Sequence, residues 1–362
     1  MKLTANIKLQ CSKEQHQILL QTLETCNKAC NYISQICFDK KVFGQFKVHK
    51  LIYKEIRKDF ELSSQIAIRC IAKIADAYKL DKKILRDFKP YSSQPFDDRN
   101  FRLMKNDQIS ITTTDGRLKI PFICGDYQRK LLQTRKGEVD LMYIEGQFYI
   151  ACTCEIDEAE IKDPTGILGI DLGIVNIAVD SEGEHYSGKQ IEVYRKKFYN
   201  RRKNLQRKGS RSAKKKLKKI SAKQSRFQKD TNHCISKAIV AKAQRLSFSI
   251  SLEDLKGIRE GVKVRKSQRA KMANWGFYQL KSFIEYKAKR FGILVAVIDP
   301  RNTSRTCPKC KFVSKKNRPT RDRFCCKQCG FCESADFVAA WNIQAKADVN
   351  QPMVAGMASG SL

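Results

Sequence analysis

The chain has 362 residues, with 71 Lys or Arg against 37 Asp or Glu, for a formal net charge of +34. At 42% hydrophobic and 30% charged residues it carries enough apolar material for packed cores, which excludes wholesale disorder, and the length predicts two or three domains. No apolar run approaches the roughly 18 residues of a membrane helix, and residues 1–10 alternate without an apolar signal core, so secretion is not expected. The 15 cysteines, an odd number, read as reduced thiols plus a metal site and not as a disulfide scaffold. So large a positive charge points to nucleic acid. An anionic membrane surface would need a basic amphipathic helix with bulky apolar anchors.

Residues 2–9 alternate apolar and polar side chains and predict a strand. Ser12 is placed to cap the next segment, with Gln15 as its capping-box partner. Leu19, Leu23, Cys26, Cys30, Ile33 and Cys37 then recur at helical spacing, so these cysteines are expected to pack a core and not to bind metal. A second helical stretch is expected over 49–78. From 91 to 157 short alternating runs (101–104, 108–112, 117–120, 139–144 and 147–153) are split by turn pairs such as Asp115-Gly116 and Glu145-Gly146. They predict a small β barrel that the first strand joins, with the helical unit inserted.

After a polar linker at 158–165, residues 167–171 form an apolar run ending in Asp171. Further strands at 176–180 and near 185–186 complete an antiparallel meander. Residues 194–229 hold seventeen Lys or Arg and no Asp or Glu, in a helix-forming composition broken at Lys208-Gly209-Ser210. A solvated helix face usually mixes charge. A one-signed run repels itself unless a polyanion lies against it, so Arg201, Arg202, Lys214, Lys215 and Lys218 are candidate nucleic-acid contacts. His233, just beyond, is expected to be structural or phosphate-facing. Helix continues over 231–246, followed by a strand at 248–252 ending at Glu253, a helix at 274–290 and a β-rich run at 292–299.

Cys307-Pro-Lys-Cys310 and Cys326-Lys-Gln-Cys329 are two C-x-x-C knuckles with zinc-ribbon spacing, and Gly330 suits the tight turn after the second. Four thiolates close a tetrahedral site, so this zinc is expected to be structural. Cys325 adjoins Cys326, so its side chain should point away from the metal; Cys332 is a second spare. Asp171 and Glu253 end apolar strands, and Asp336 opens an apolar helix after the ribbon. Each alone could be an ordinary turn residue or cap. Together they offer hard oxygen ligands to one or two magnesium ions.

Gly169-Ile-Asp171-Leu-Gly-Ile-Val-Asn176 resembles the first RuvC motif of the ribonuclease H-like fold, Leu252-Glu253-Asp254-Leu255 the second, and Ala335-Asp336-Phe-Val-Ala-Ala340-Trp-Asn342-Ile343 the third. Asn302-Thr-Ser-Arg-Thr-Cys307-Pro-Lys-Cys310 with Arg323-Phe-Cys-Cys326-Lys-Gln-Cys329-Gly330 is similar to the zinc ribbon set before the third motif. In this order the motifs resemble the TnpB proteins of insertion sequences, compact relatives of type V CRISPR effectors. The resemblance is strong over 167–343 and weaker before it. It implies a multidomain α+β chain with a wedge-like β barrel (1–10 and 91–157), a helical recognition insert (11–90), a ribonuclease H-like RuvC α/β domain (158–303 and 331–346), a zinc ribbon (304–330) and a flexible tail (347–362).

The activity it implies is RNA-guided cleavage of double-stranded DNA beside a short adjacent motif. Asp171, Glu253 and Asp336 would serve two Mg2+ or Mn2+ ions, and Cys307, Cys310, Cys326 and Cys329 one Zn2+. The guide RNA would come from the transposon end, in a prokaryotic cytoplasm at the nucleoid, with one or two copies of the chain per RNA left open. Many relatives carry Asn two places after the third-motif acid, where this chain has Val338. The alternatives are a guided repressor that binds without cutting and a miniature CRISPR effector. All three acids are kept, which favours cleavage.

Overall fold

The computed structural model of the chain describes residues 1–173, 175–255 and 276–350. They form two compact units, Met1–Asp157 and Glu158–Leu362.

The first unit opens with β1 (Lys2–Leu9), followed by α1 (Lys13–Lys40), α2 (Gln45–Asp59) and α3 (Ser64–Leu80). The capping box is present: the Gln15 N–H donates to Ser12 Oγ and the Ser12 N–H to Gln15 Oε1. The expected apolar stripe of α1 is buried throughout and serves two cores. Leu19 and Leu23 pack into the barrel, while Cys26, Cys30, Ile33 and Cys37 pack against α2 and α3. Burial pushes the Cys30 thiol well above its ordinary value, as a core side chain requires. The helical stretch expected over 49–78 is two helices. The chain breaks at Phe60 and Glu61, the latter at φ 50°, before Ser63 starts α3.

The strands β2 (Gln94–Phe96), β3 (Phe101–Met104), β4 (Gln108–Thr113), β5 (Gly116–Ile123), β6 (Arg135–Ile144) and β7 (Gln147–Glu155) join β1 in one sheet, with α4 (Asp126–Leu132) between β5 and β6. Its order is β2-β6-β7-β1-β5-β4-β3. The two end strands are consecutive in sequence, so the sheet curls into a nearly closed barrel around Ile7, Phe96, Phe101 and Phe148. β1 takes the central place between β7 and β5.

The second unit carries β8 (Gly166–Asp171), β9 (Asn176–Asp180), β10 (His185–Ser187), α5 (Lys189–Lys208), α6 (Arg211–Leu246), β11 (Phe248–Glu253), α7 (Phe277–Arg290), β12 (Val295–Ile298), the hairpin β13 (Arg323–Cys325) and β14 (Cys332–Ser334), and α8 (Ala335–Asn350). Its five-stranded sheet runs β10-β9-β8-β11-β12. The meander β8–β10 is antiparallel, while β11 lies parallel to both β8 and β12. Residues 274 and 275, expected to begin the helix of α7, lie outside the described residues. At the far end α8 runs on to Asn350, so residues 347–350, expected in a flexible tail, are helical; 351–362 lie outside the described residues.

Alternation along the strands decides what faces what. Leu168 and Ile170 of β8, with Ile250 and Leu252 of β11, pack on Ile239 and Ala243 of α6 and Leu280 and Ile284 of α7. The other face belongs to α8. Ile167 packs there with Ile343 and Ala347, and a Cβ on Gly169 would meet the Ala340 carbonyl oxygen at 2.2 Å. Ser251 is fully buried on the same face and its hydroxyl donates to the Ile343 carbonyl. Small residues in mid-strand thus let the helix lie directly on the sheet. The next residues of that parity are Asp171 and Glu253.

The turn after β9 is fixed from three sides. Asp180 is fully buried and accepts from Lys242 of α6 at 2.7 Å and from the Glu182 and Glu184 N–H groups. Ser181 Oγ accepts from the Gly169 N–H, and its carbonyl accepts from Trp341 of α8.

Candidate functional site

Asp171 and Glu253 end adjacent parallel strands whose register pairs Leu252 with Ile170. Asp336 sits in the first turn of α8, above the same sheet face. The three expected carboxylates therefore converge at one sheet end. Burial pushes Asp171 up to about 8, the Glu253 and Asp336 charges push the same way, and Arg318 opposes them. Burial also raises Glu253, while Thr303 and Lys346 pull it back. Asp336 accepts from Asn176 Nδ2 at 2.9 Å, and Glu253 Oε1 accepts from the Thr303 hydroxyl at 2.5 Å.

The acids have the donor chemistry of a hard-cation site: oxygen only, anionic, clustered and costly to leave uncompensated. Among the described residues, Cys307, Cys310, Cys326 and Cys329 are the one group of three or more His, Cys, Asp or Glu whose ligand atoms all lie within 4.8 Å of one another.

The raised Asp171 fixes a pH dependence. The folded chain keeps this proton to about pH 8, whereas an unfolded Asp releases it near pH 4. Stability is then fullest below the unfolded value and falls as pH rises through 8. Without added divalent cation, Asp171→Asn should be more stable than the parent at pH 9 by at least about 2 kcal/mol and equal to it at pH 4. Thermal melts at the two pH values check this; equal melting temperatures at pH 9 would refute it.

The cysteine cluster is built from two similar turns. The Lys311 N–H donates to the Cys307 carbonyl and the Gly330 N–H to the Cys326 carbonyl, with Lys311 and Gly330 both left-handed, at φ 62° and 70°. Sulfur separations are 3.6 Å for Cys307–Cys329 and 3.5 Å for Cys310–Cys326. Four sulfurs about 2.3 Å from one tetrahedral Zn2+ stand roughly 3.8 Å apart, so the set fits zinc. Burial raises the Cys326 thiol, but the Cys329 and Gln328 N–H groups, with the Cys310 and Cys329 sulfurs, more than offset this and bring it to about 6. At Cys310 the Phe312 backbone pulls down, while burial and the three other sulfurs push it up to about 12.

Cys325 does point away from the cluster. It faces Cys332 across β13 and β14, and the two form a disulfide, so this pair corrects the expectation of reduced thiols; the other cysteines are free. Metal analysis should find about one zinc per chain. Ser at any of the four ligands should remove most of it, and Ser at Cys325 or Cys332 should leave it unchanged. Zinc lost with Cys325→Ser but kept with Cys326→Ser would show the knuckle to be misregistered.

The basic run breaks at the expected Lys208-Gly209-Ser210 and forms a helical hairpin. Gly209 ends α5 at φ 63° and Ser210 caps α6. Tyr194 stacks on Phe227 across the pair, and Ala213 and Ile220 are buried. Arg201, Lys214, Lys215 and Lys218 are exposed. Arg202 is half-buried and donates to Gln224. Farther along α6, His233 stacks on Phe283 at 3.9 Å, and burial with the Lys287 and Lys229 charges lowers its imidazolium, in keeping with a structural role.

Four residues of the site had no role assigned from sequence. Thr303 holds Glu253. Asn342 donates to the Thr303 and Thr306 carbonyls. Asn317, fully buried in the ribbon, donates to the Arg305 and Phe312 carbonyls and accepts from the Lys327 N–H. Its neighbour Arg318, held by the Arg321 carbonyl, brings positive charge to Asp171. One signal was readable: Gly169-Ile-Asp171 and Ser251-Leu-Glu253 share the order small, apolar, acid.

A family model described as "Probable transposase" matches residues 151–256, and one described as "Cas12f1-like, TNB domain" matches 277–343. The chain is 30% identical over 259 residues to the TnpB-like protein MJ0751 of Methanocaldococcus jannaschii, covering 66% of this chain and 90% of that one. It is 30% identical over 208 residues to a CRISPR-associated endodeoxyribonuclease Cas12f1 of Syntrophomonas palmitatica, covering 52% of this chain but only 40% of the relative. With the putative RNA-guided DNA endonuclease InsQ of Escherichia coli it shares 24% over 220 residues, 55% of this chain and 54% of that protein. Among solved structures, Cas12f1 in a complex with sgRNA and target DNA superposes with a TM-score of 0.60 at 17% identity, over 92% of this chain and 83% of that one. Two of these relatives are named as DNA endonucleases, one CRISPR-associated and one RNA-guided. The chain belongs to the TnpB-like family.

Proposed function

We propose that the chain is an RNA-guided DNA endonuclease encoded by a transposable element, acting at the prokaryotic nucleoid and cutting double-stranded DNA with one RuvC-type, ribonuclease H-like site. The observation that carries this reading is the meeting of Asp171, Glu253 and Asp336 from two strand ends and a helix start, close enough for the other two charges to add to the burial that raises Asp171. Magnesium or manganese ions bound there would lower the pKa of an attacking water and offset charge on the leaving oxygen of a phosphodiester. Asn176 and Thr303 fix their acids, and Arg318 sets a cation beside an anionic substrate. Cys307, Cys310, Cys326 and Cys329 hold structural zinc. The α5–α6 hairpin holds nucleic-acid backbone, which rewards charge and leaves sequence to base pairing.

The test is to purify the protein with its RNA, sequence that RNA, and incubate the complex with matching plasmid and Mg2+. Linearisation supports the reading, and binding without cutting makes the protein a guided repressor. A guide that matches the transposon end supports the element-borne role; one copied from a CRISPR array makes the chain a miniature effector.

A further inference from the structure

The stem that leads into the ribbon is fastened to α8 in a way that a structural metal site alone does not require. Asn342 donates to the Thr303 carbonyl at 2.7 Å and to the Thr306 carbonyl at 2.8 Å, and is itself 5% exposed. One turn on, Lys346 donates to the Asp299 and Arg301 carbonyls at 3.1 and 2.5 Å. Four carbonyls of one short segment are thus held by two side chains of the helix that also carries Asp336. The segment delivers one side chain inward. Thr303 is 3% exposed, and its hydroxyl lies 2.5 Å from Glu253 Oε1 and 2.9 Å from the Pro300 carbonyl. A hydroxyl has one hydrogen and both neighbours are acceptors. The shorter contact is to the carboxylate, where a charge-assisted bond is the stronger one.

We propose that Thr303 is a positioning residue for Glu253, held in place by Asn342, and that the ribbon stem thereby sets the affinity of the carboxylate cluster for divalent cations. The inference rests on reading Asp171, Glu253 and Asp336 as a cation site. A ligating carboxylate with a free rotor must be ordered when it binds; one already held by a buried hydroxyl is ordered beforehand. Outer partners of this kind are worth about 10- to 100-fold in metal affinity. Thr303 also lies in the chain just ahead of Cys307. The site's last acid and the seat of its second acid are therefore both set by elements that flank the zinc.

The experiment titrates Mn2+ into the full-length, nucleic-acid-free protein and follows free Mn2+ by electron paramagnetic resonance. The share of binding lost in Asp336→Ala defines the carboxylate cluster. Thr303→Val keeps the branched shape and loses the hydroxyl; it should weaken that share about 10- to 100-fold with zinc content unchanged. Thr303→Ser should restore it to within a few-fold. Asn342→Ala keeps the hydroxyl but frees the stem and should fall between. Guided cleavage by Thr303→Val should recover at saturating Mg2+, as a positioning role demands. Equal Mn2+ binding by Thr303→Val and the parent, or equal loss in Val and Ser, overturns the inference and leaves the cation site standing. If Asp336→Ala removes no Mn2+ binding from the parent, the cation-site reading fails, and the inference with it.

Discussion

Asp171→Ala, Glu253→Ala and Asp336→Ala should each lower cleavage of a matched plasmid at least about a thousandfold while leaving guided binding within a few-fold of the parent. The size follows from the chemistry. Metal-assisted hydrolysis draws several kcal/mol from charge stabilisation, and each 1.4 kcal/mol is about tenfold in rate. Loss of one anionic oxygen ligand unseats a cation and introduces no bulk. Binding should survive because guide pairing and backbone contacts lie with other residues. Both Asp171 and Glu253 are strand-end side chains on the face covered by α8, so their truncation leaves the alternate face, packed on α6 and α7, intact. Burial raises Asp171 most, and removing Glu253 or Asp336 relieves the charge that adds to it. Plasmid linearisation and a gel shift, run side by side, give both readouts. A single variant that cuts at the parent's rate would show that its residue is no ligand.

The second large effect concerns salt. If about six side chains of the α5–α6 hairpin meet phosphates, affinity for guide RNA should fall roughly a thousandfold between about 50 and 200 mM salt. Replacing Arg201, Arg202, Lys214, Lys215 and Lys218 together by Gln should flatten that slope and weaken every guide alike, without touching zinc content. Four of these cations are exposed and Arg202 is half-buried against Gln224. The packing that joins the helices, Tyr194 on Phe227 with Ala213 and Ile220 beneath, survives the change. Filter binding at a series of salt concentrations measures the slope. An unchanged slope would make the hairpin a solvated face.

Much of this could be read from the sequence where local rules act alone. The Ser12–Gln15 capping box, the stripe from Leu19 to Cys37 and the two knuckles depend on spacing along the chain, and each is found as spaced. The apolar runs that end in Asp171 and Glu253 were legible because parallel strands buried on both faces read as unbroken hydrophobic segments. What escaped depends on tertiary context. β2 is three residues long with Pro95 at its centre, and the break after α2 rests on the backbone of Phe60 and Glu61, with no proline or glycine to mark it. Thr303 and Asn342 act through contacts between elements far apart in sequence, which no periodicity reports. Adjacency to Cys326 foretold that Cys325 turns away, but its pairing with Cys332 is a matter of hairpin register.

The helix that lies on Gly169 is the last of the described elements to leave the ribosome. Until it arrives, β8 shows a bare backbone groove, Thr303 has no Asn342 to hold it, and two acids stand without their third. At about 5–20 residues per second, a nascent chain spends several seconds with its basic hairpin made and its carboxylate cluster incomplete. The order of the elements thus places the meeting of the three acids after the basic hairpin is complete, so that on the proposed reading a nascent chain could hold nucleic acid before it could cut it.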